Sequence, residues 1–464
     1  MIPARLRLLP LIAALGGLLL SSGAGLAETV LSVAQMRDAA GQSLKAGHPA
    51  QAATLAAALL ARDGNDLNAL LIRSRALRDL DRTGEARALL RRAWRLAQTD
   101  EDKYATALIT AQVLATAGKR TRAQLWLRRA VQHAPNARLA ARAKRDFTYV
   151  KQRNPWQTHL SFTLAPNSNI NNGSARDRSE LNYLASQIIF GQPVEYALSG
   201  SARALSGLEI GGKVQTRYRF AQTSATAHDA KLSVSYRSFL LGDSSKKQAP
   251  GVAGRDFAFG NLSLGYGYRQ INLSRLGEFT FDAEVGQSFY GGARYATYLR
   301  GDIGQSYRAS RNRTHHVDLN LERQFGQATA DQDSVGLSTS LTQRLDSGNS
   351  LYLGLRGDVT RSPNPDAEYR EIELRSGYVL GKPVMGAALQ FGLGAAFRDY
   401  PVSRHNVAGR EDRRLFADVT ATFGAIDYYG FNPTVTLSAS TTDSNIGLFD
   451  TNRLGLNLGI RSAF

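Results

Sequence analysis

From Trp156 to Phe464 the chain alternates apolar side chains with polar or very small ones, a period of two that marks strands with one greasy face. About fourteen such stretches follow one another, from Leu160/Phe162/Leu164 through Leu262/Leu264/Tyr266/Tyr268 and Leu389/Phe391/Leu393/Phe397 to Leu454/Leu456/Leu458/Ile460. The opposite faces carry charge and amide, as in Lys213/Gln215/Arg217/Arg219 and Glu371/Glu373/Arg375. An even number of amphipathic strands with the apolar side facing out predicts an antiparallel transmembrane β-barrel of about fourteen strands. The connections agree. Short gaps at Ala221–Thr223, Ala309–Asn312, Asp346–Asn349 and Gly381–Pro383 alternate with mostly longer ones near 167–205, 242–256, 326–334, 361–368, 399–412 and 443–452. Short turns on one side and long loops on the other are the barrel pattern of the outer membrane.

Upstream the period changes. From Leu31 to about Val150 apolar positions recur every three or four residues, predicting helices over 32–46, 50–62, 66–80, 84–98, 101–117, 120–133 and 137–150. Ala52, Ala86 and Ala123 open the second helix of successive pairs at spacings of 34 and 37 residues, and Ala40, Ser74 and Ala111 stand twelve residues before each. In the third unit Ala123, Leu127, Ala130 and Pro135 match the small, large, small and Pro positions of a tetratricopeptide (TPR) repeat. The reading is a TPR-like helical domain whose small residues let paired helices approach closely. A generic array of α-hairpins is the plainer alternative.

Arg5 and Arg7, the apolar run Leu8–Leu20 and the small residues Gly25 and Ala27 make a secretory signal peptide, so the expected organisation is signal 1–27, periplasmic helical domain 28–153 and outer-membrane barrel 154–464. The chain lacks cysteine, which removes disulfides, thiol nucleophiles and thiolate metal sites. Its formal charge is +18, of which residues 28–155 contribute +12 (23 Lys+Arg against 11 Asp+Glu) and residues 156–464 only +4 (32 against 28). In an exported protein this favours anionic lipid or an acidic partner over nucleic acid.

The last strand, RLGLNLGIRSAF, places Leu458, Ile460 and the terminal Phe464 on one period-two face. It resembles the C-terminal signal read by the bacterial barrel-insertion machinery. The junction NPWQTHLSFTLAPNSNINNGS (Asn154–Ser174), the run GREDRR (Gly409–Arg414) and the end DSNIGLFDTNRLGLNLGIRSAF (Asp443–Phe464) carry a second likeness. With a TPR-like domain before the barrel, they make the chain similar to the surface lipoprotein assembly modifiers, the Slam family. The resemblance implies an outer-membrane translocator for particular client proteins, surface lipoproteins or secreted haem- or iron-capturing proteins, with no cofactor. The alternatives are an exopolysaccharide export porin, usually with a much longer repeat array, and a passive diffusion porin.

The motif Pro166-Asn167-Ser168-Asn169-Ile170-Asn171 follows the first strand, and Ser444-Asn445-Ile446 precedes the last. First and last strands of a closed barrel are neighbours, so both SNI tripeptides should lie at the outer end of the closing seam, fixing that rim or meeting the client. Ordinary Asn/Ser turn chemistry is the competing account. In the first external loop, Ser179–Phe190 predicts an amphipathic helix or lumen-packed segment, read as a plug or gate, with a loop folded over the rim as alternative. The barrel interior admits an extended chain more readily than a folded domain, so a client passes unfolded or along an opened seam. Catalysis finds little support: His315 and His316 alternate faces, and only Asp331, Asp333 and His405 could be assembled into a rim constellation. No metal-ligand spacing or phosphate loop is present in the sequence.

Overall fold

A computed structural model describes residues 31–464; the signal segment lies outside the described residues. Among the described residues seven helices precede the first strand: α1 (Val33–Lys45), α2 (Pro49–Arg62), α3 (Leu67–Asp79), α4 (Thr83–Leu96), α5 (Asp100–Thr116), α6 (Arg120–Gln132) and α7 (Ala137–Arg153). Their ends follow local chemistry. Ser32 and Gln35 form a capping box, Asp66 and Asn136 accept the Ala69 and Leu139 amides, and Pro49 stands at the first turn of α2. All six small repeat positions, Ala40, Ala52, Ser74, Ala86, Ala111 and Ala123, are buried to 1% exposure or less. Side chains that small let backbones come close, and Ser74 satisfies its hydroxyl on the Leu70 carbonyl at 2.7 Å.

The chain divides into two compact units, one ending at Leu96 and one running from Ala97 to Phe464. The boundary therefore does not coincide with the change of period near Asn154. Helices α5–α7 belong to the same unit as the barrel.

The barrel is closed and antiparallel, of fourteen strands. They are β1 (Trp156–Asn167), β4 (Gly207–Gln222), β5 (Thr226–Leu241), β6 (Phe259–Asn272), β7 (Gly277–Tyr290), β8 (Ala293–Ser310), β9 (Arg313–Gly326), β10 (Gln332–Arg344), β11 (Ser350–Arg361), β12 (Tyr369–Val379), β13 (Ala387–Tyr400), β14 (Arg410–Phe423), β15 (Phe431–Ser444) and β16 (Thr451–Ser462). The first loop carries a small separate hairpin, β2 (Arg178–Glu180) with β3 (Glu195–Ala197), around helix α8 (Tyr183–Phe190); the second carries α9 (Asp243–Gln248). Every predicted strand is present. On the loop side Gly291 and Gly292 alone join β7 to β8, both at positive φ, and the gap 327–331 is no longer than the turn 345–349 on the other side.

Leu160, Phe162, Leu264 and Leu393 are 56–61% exposed on the outer face, a band that only lipid can cover. At the short-turn end Trp156 and Tyr218 pack with ring centroids 4.7 Å apart, and contacts run on through Phe220, His228, Tyr266 and Tyr268 to Phe279 and Phe281. Such a belt marks a membrane–water interface. The fold is an outer-membrane-type barrel. Its interior is laced with ion pairs: Arg219–Asp229 at 2.8 Å, Arg300–Glu322 at 2.5 Å, Arg398–Glu371 and Arg414–Glu373 both at 2.7 Å, and Lys231–Asp282.

Candidate functional site: the closing seam and its two ends

Where β1 meets β4, residues pair without interruption from Trp156↔Tyr218 to Asn167↔Gly207, and β15 meets β16 as continuously from Phe431↔Ser462 to Thr442↔Thr451. The closing seam differs. Among the described residues β1 and β16 register at two pairs, Leu164↔Leu458 and Asn167↔Gly455. Between them stands Pro166, which has no N–H to donate. The stretches 156–163 and 459–462, toward the short-turn end, share no registered pair.

The outer end of this seam is stitched. Ser168 N–H donates to the Leu454 carbonyl at 3.2 Å and its Oγ accepts the Leu454 N–H at 2.8 Å. Asn169 is fully buried; its side chain both accepts from and donates to the Gly173 backbone, at 2.9 and 2.8 Å, fixing a tight loop. Asn171 donates to the Ser201 and Arg203 carbonyls and accepts from Leu205, and Asn167 donates to Glu209. Ile170 and Leu205 pack against the inward-facing Phe239 and Leu241 of β5 and against Ala249 at the end of α9, so both ends of the first loop fold into the outer mouth.

The second tripeptide does a different job. Asn445 accepts the Glu411 N–H at 2.9 Å and donates to the Gly409 carbonyl at 3.2 Å, which ties it to the start of β14. Ser444 Oγ accepts the Ile446 N–H, and Ile446 is buried. Among the described residues no hydrogen bond joins the two SNI segments directly. They are joined through residues the sequence did not single out: Ser174 Oγ donates to the Gly447 carbonyl at 2.6 Å, and Asp450 accepts from Ser444 N–H at 2.6 Å and from Arg176 Nε at 2.5 Å. Asp450 thereby raises the pKa of Arg176, chiefly through that hydrogen bond. Arg453 reaches the Asn169 carbonyl and the Asn172 side chain. In the GREDRR run, Arg410 grips Asp412 with two hydrogen bonds and lies 3.4 Å over the Phe449 ring centroid, while Arg414 reaches Glu373. Asp450, Ser174 and Arg176 carry no spacing signal; they are recognisable only once the two ends of the barrel sequence meet.

Two expectations change. The apolar residues of helix α8 are not packed against the described residues: Leu184, Ile188 and Ile189 are 70, 83 and 67% exposed. Its anchorage is polar, through Ser186 to Tyr196, the Tyr183 N–H to the Arg404 carbonyl, and the Asn182 N–H to His405 Nδ1 at 3.2 Å. Polar groups at one end hold it at the rim and leave its apolar residues exposed. His405 is thus occupied, its pKa lowered first by burial and then by Arg404, whereas Asp331 and Asp333 pair with Arg323. The acid–histidine constellation is not assembled.

The other change concerns Phe464. Leu458 and Ile460 face outward as expected, but β16 ends at Ser462 and the terminal ring leaves the lipid face. It packs edge-on against Phe147 of α7 with centroids 5.0 Å apart and under the Arg128 guanidinium of α6 at 4.8 Å. Arg128 is 8% exposed. It donates to the Tyr429 and Gly430 carbonyls at 3.1 and 2.8 Å, to Ser462 Oγ at 2.7 Å and to Phe464 O at 3.3 Å, and it also covers the rings of Phe147 and Phe431. Burial lowers its pKa, with Asp427 opposing. Gly430 has φ +74° and a Cβ there would strike Phe464 and Arg128, so only glycine fits. This cation–aromatic clamp pulls the last residue away from its period-two position.

No family model matches the chain, and no curated protein matches it in sequence. Similar solved structures fall in two groups. The type III secretion translocator chaperone SycD of Yersinia enterocolitica, 17% identical, covers 26% of this chain and 92% of its own at a TM-score of 0.24. An outer-membrane channel from Pseudomonas putida F1, 10% identical, covers 66% of this chain and 95% of its own at 0.32; an anion-selective porin from Comamonas acidovorans, 10% identical, covers 67% and 100% at 0.31. Likenesses this distant carry no functional argument.

Proposed function

We propose that the protein is an outer-membrane translocator delivering specific client proteins, surface lipoproteins or secreted haem- or iron-capturing proteins, across that membrane. The observation that carries this reading is the clamp between Arg128 of α6 and the final residues of β16: helices of the repeat type are fastened to the strand that closes the barrel. A passive pore has no use for such a fastening, whereas a translocator needs its docking helices beside the place of entry. Two supports are independent of it. The Slam-like motifs of the sequence converge at one end of the seam, and the lumen cations named above are held by carboxylates. A conduit for an anionic polysaccharide would present them free.

The helices then stand in the periplasm, receive the client and, with their excess of basic residues, favour acidic or lipid-bound forms of it. Leu458, Ile460 and Phe464 serve the insertion machinery before the clamp closes. Deleting the gene and labelling surface proteins in intact cells tests the function. Loss of one or a few proteins from the surface or medium is expected. An unchanged surface complement refutes the reading, and a change in solute permeation alone assigns a diffusion porin instead.

A further inference from the structure

We propose that the short-turn half of the seam is a binding edge for an extended polypeptide segment, which adds as a strand to β1 and β16; this rests on the translocator reading. Leu160 and Phe162 on β1 and Ile460 on β16 are 56–60% exposed on the outer face, so this half of the seam lies within the apolar band. Strand edges cannot stand open there, because hydrocarbon offers no hydrogen bonds and each unsatisfied backbone group costs several kcal/mol. Yet no residue of 156–163 registers with any of 459–462. Continuing the observed register would oppose Ser161 to Arg461 and Thr163 to Gly459.

The chemistry that completes such an edge is another extended backbone. A lipid has no matching ladder of donors and acceptors. The edge also states what side chains its partner needs. Outward positions meet lipid beside Phe162 and Ile460, and inward positions stand beside Gln157 and His159 of β1, which border a recess of about 290 Å³ shared with Gln215, Arg217 and Arg269 of β4 and β6. The partner is therefore a client segment that itself alternates apolar and polar residues, a β-strand in transit. Arg128 sets the geometry by holding the end of β16 through Ser462 and Phe464. The outer half, sewn by Ser168–Leu454, acts as the hinge.

The absence of native cysteine makes the test clean. Ser161→Cys with Arg461→Cys locks the free half of the seam; Ser161→Cys with Lys213→Cys, a registered β1–β4 pair, places the same first cysteine in an ordinary ladder. Each full-length variant is folded reduced, checked by heat-modifiable migration, then oxidised in cells. The readout is surface exposure of the exported protein that is lost on gene deletion. The β1–β16 lock is expected to lower it at least tenfold, with recovery on reduction, while the β1–β4 lock leaves it unchanged. If Ser161→Cys/Arg461→Cys fails to fold, Thr163→Cys/Gly459→Cys takes its place. Undiminished delivery with the seam locked overturns the proposal and sends the client through the lumen. Disulfides between two copies would make a second chain the occupant and overturn it too. Failure of the translocator reading itself shows earlier, when deletion removes no exported protein.

Discussion

The two ends of one seam are built by opposite means. At the outer end, short polar side chains close the barrel: Ser168 and Ser174 bond backbone groups of Leu454 and Gly447 across the seam, Asn169 and Asp450 bond those of Gly173 and Ser444 within their own loops, and the strands register. At the short-turn end the strands register nowhere, and the chain terminus is secured by a helix through one guanidinium and three rings. Backbone-directed hydrogen bonds make a permanent join, since each lost partner leaves a buried group unsatisfied. The clamp gathers its hydrogen bonds to the Tyr429, Gly430 and Phe464 carbonyls and its ring contacts on one side chain, Arg128, so they can let go as a unit. A barrel meant only to stay shut would carry the first device at both ends.

The comparison breaks most visibly at Arg128. Arg128→Ala removes the donor to the Tyr429 carbonyl and Ser462 Oγ and leaves the Gly430 carbonyl with the Ala463 N–H alone, which should weaken docking of α6 and α7 by about 3 kcal/mol. Limited proteolysis should then cut the helices away at least tenfold faster while the barrel keeps its heat-modifiable migration. Arg128→Lys restores the charge but not the fork, and should recover only part. Equal protease resistance in Arg128→Ala would show that the clamp holds nothing.

Next comes Asp450. Asp450→Ala orphans the Ser444 N–H, at a cost of about 1–2 kcal/mol to the rim, and releases the exposed Arg176 guanidinium. Trypsin should gain access to Arg176 and Arg178 in intact cells, with Asp450→Asn intermediate. An effect no larger is expected from the tripeptides. Asn169→Ala should cost about 1–2 kcal/mol because the residue is fully buried, and Asn445→Ala less, since it is partly exposed. Urea unfolding of the purified barrel checks the order. If the double variant leaves both barrel assembly and client display intact, the motifs are turn chemistry only.

The smallest effect is one of pH. His405 accepts the Asn182 N–H while neutral, and burial beside Arg404 and Arg410, opposed by Asp366, holds its pKa below the usual 6.5. The docked loop binds its proton less readily than the free loop does. The stabilisation is therefore complete above pH 6.5 and declines as the pH falls from there through the lowered value. Hydrogen exchange at the α8 amides should quicken between pH 7.5 and 5, and His405→Gln should flatten the response.

How far the sequence reached follows the range of each interaction. Period two and the repeated small residues are local, and local patterns delivered all fourteen strands and the six buried repeat positions. The turn after β4 is displaced by a bulge between Arg219 and Ala221, which keeps Gln222 in the strand and moves the turn to 223–225. The alternation of Leu454 to Ile460 suggested that Phe464 continues it; Arg128, 336 residues earlier in the chain, decides otherwise. Asp450 and Ser174 matter through partners that are adjacent only after closure. The exposed face of α8 was hidden for a similar reason: amphipathicity says that a helix has two sides, not which one its polar neighbours will claim.

The unequal seam is most directly read by hydrogen exchange with mass spectrometry on the full chain in lipid nanodiscs. Peptides covering 157–163 and 459–462 should exchange at least about tenfold faster than those covering 164–168 and 452–458. Uniform protection along β1 and β16 would mean an evenly paired seam and would contradict the account.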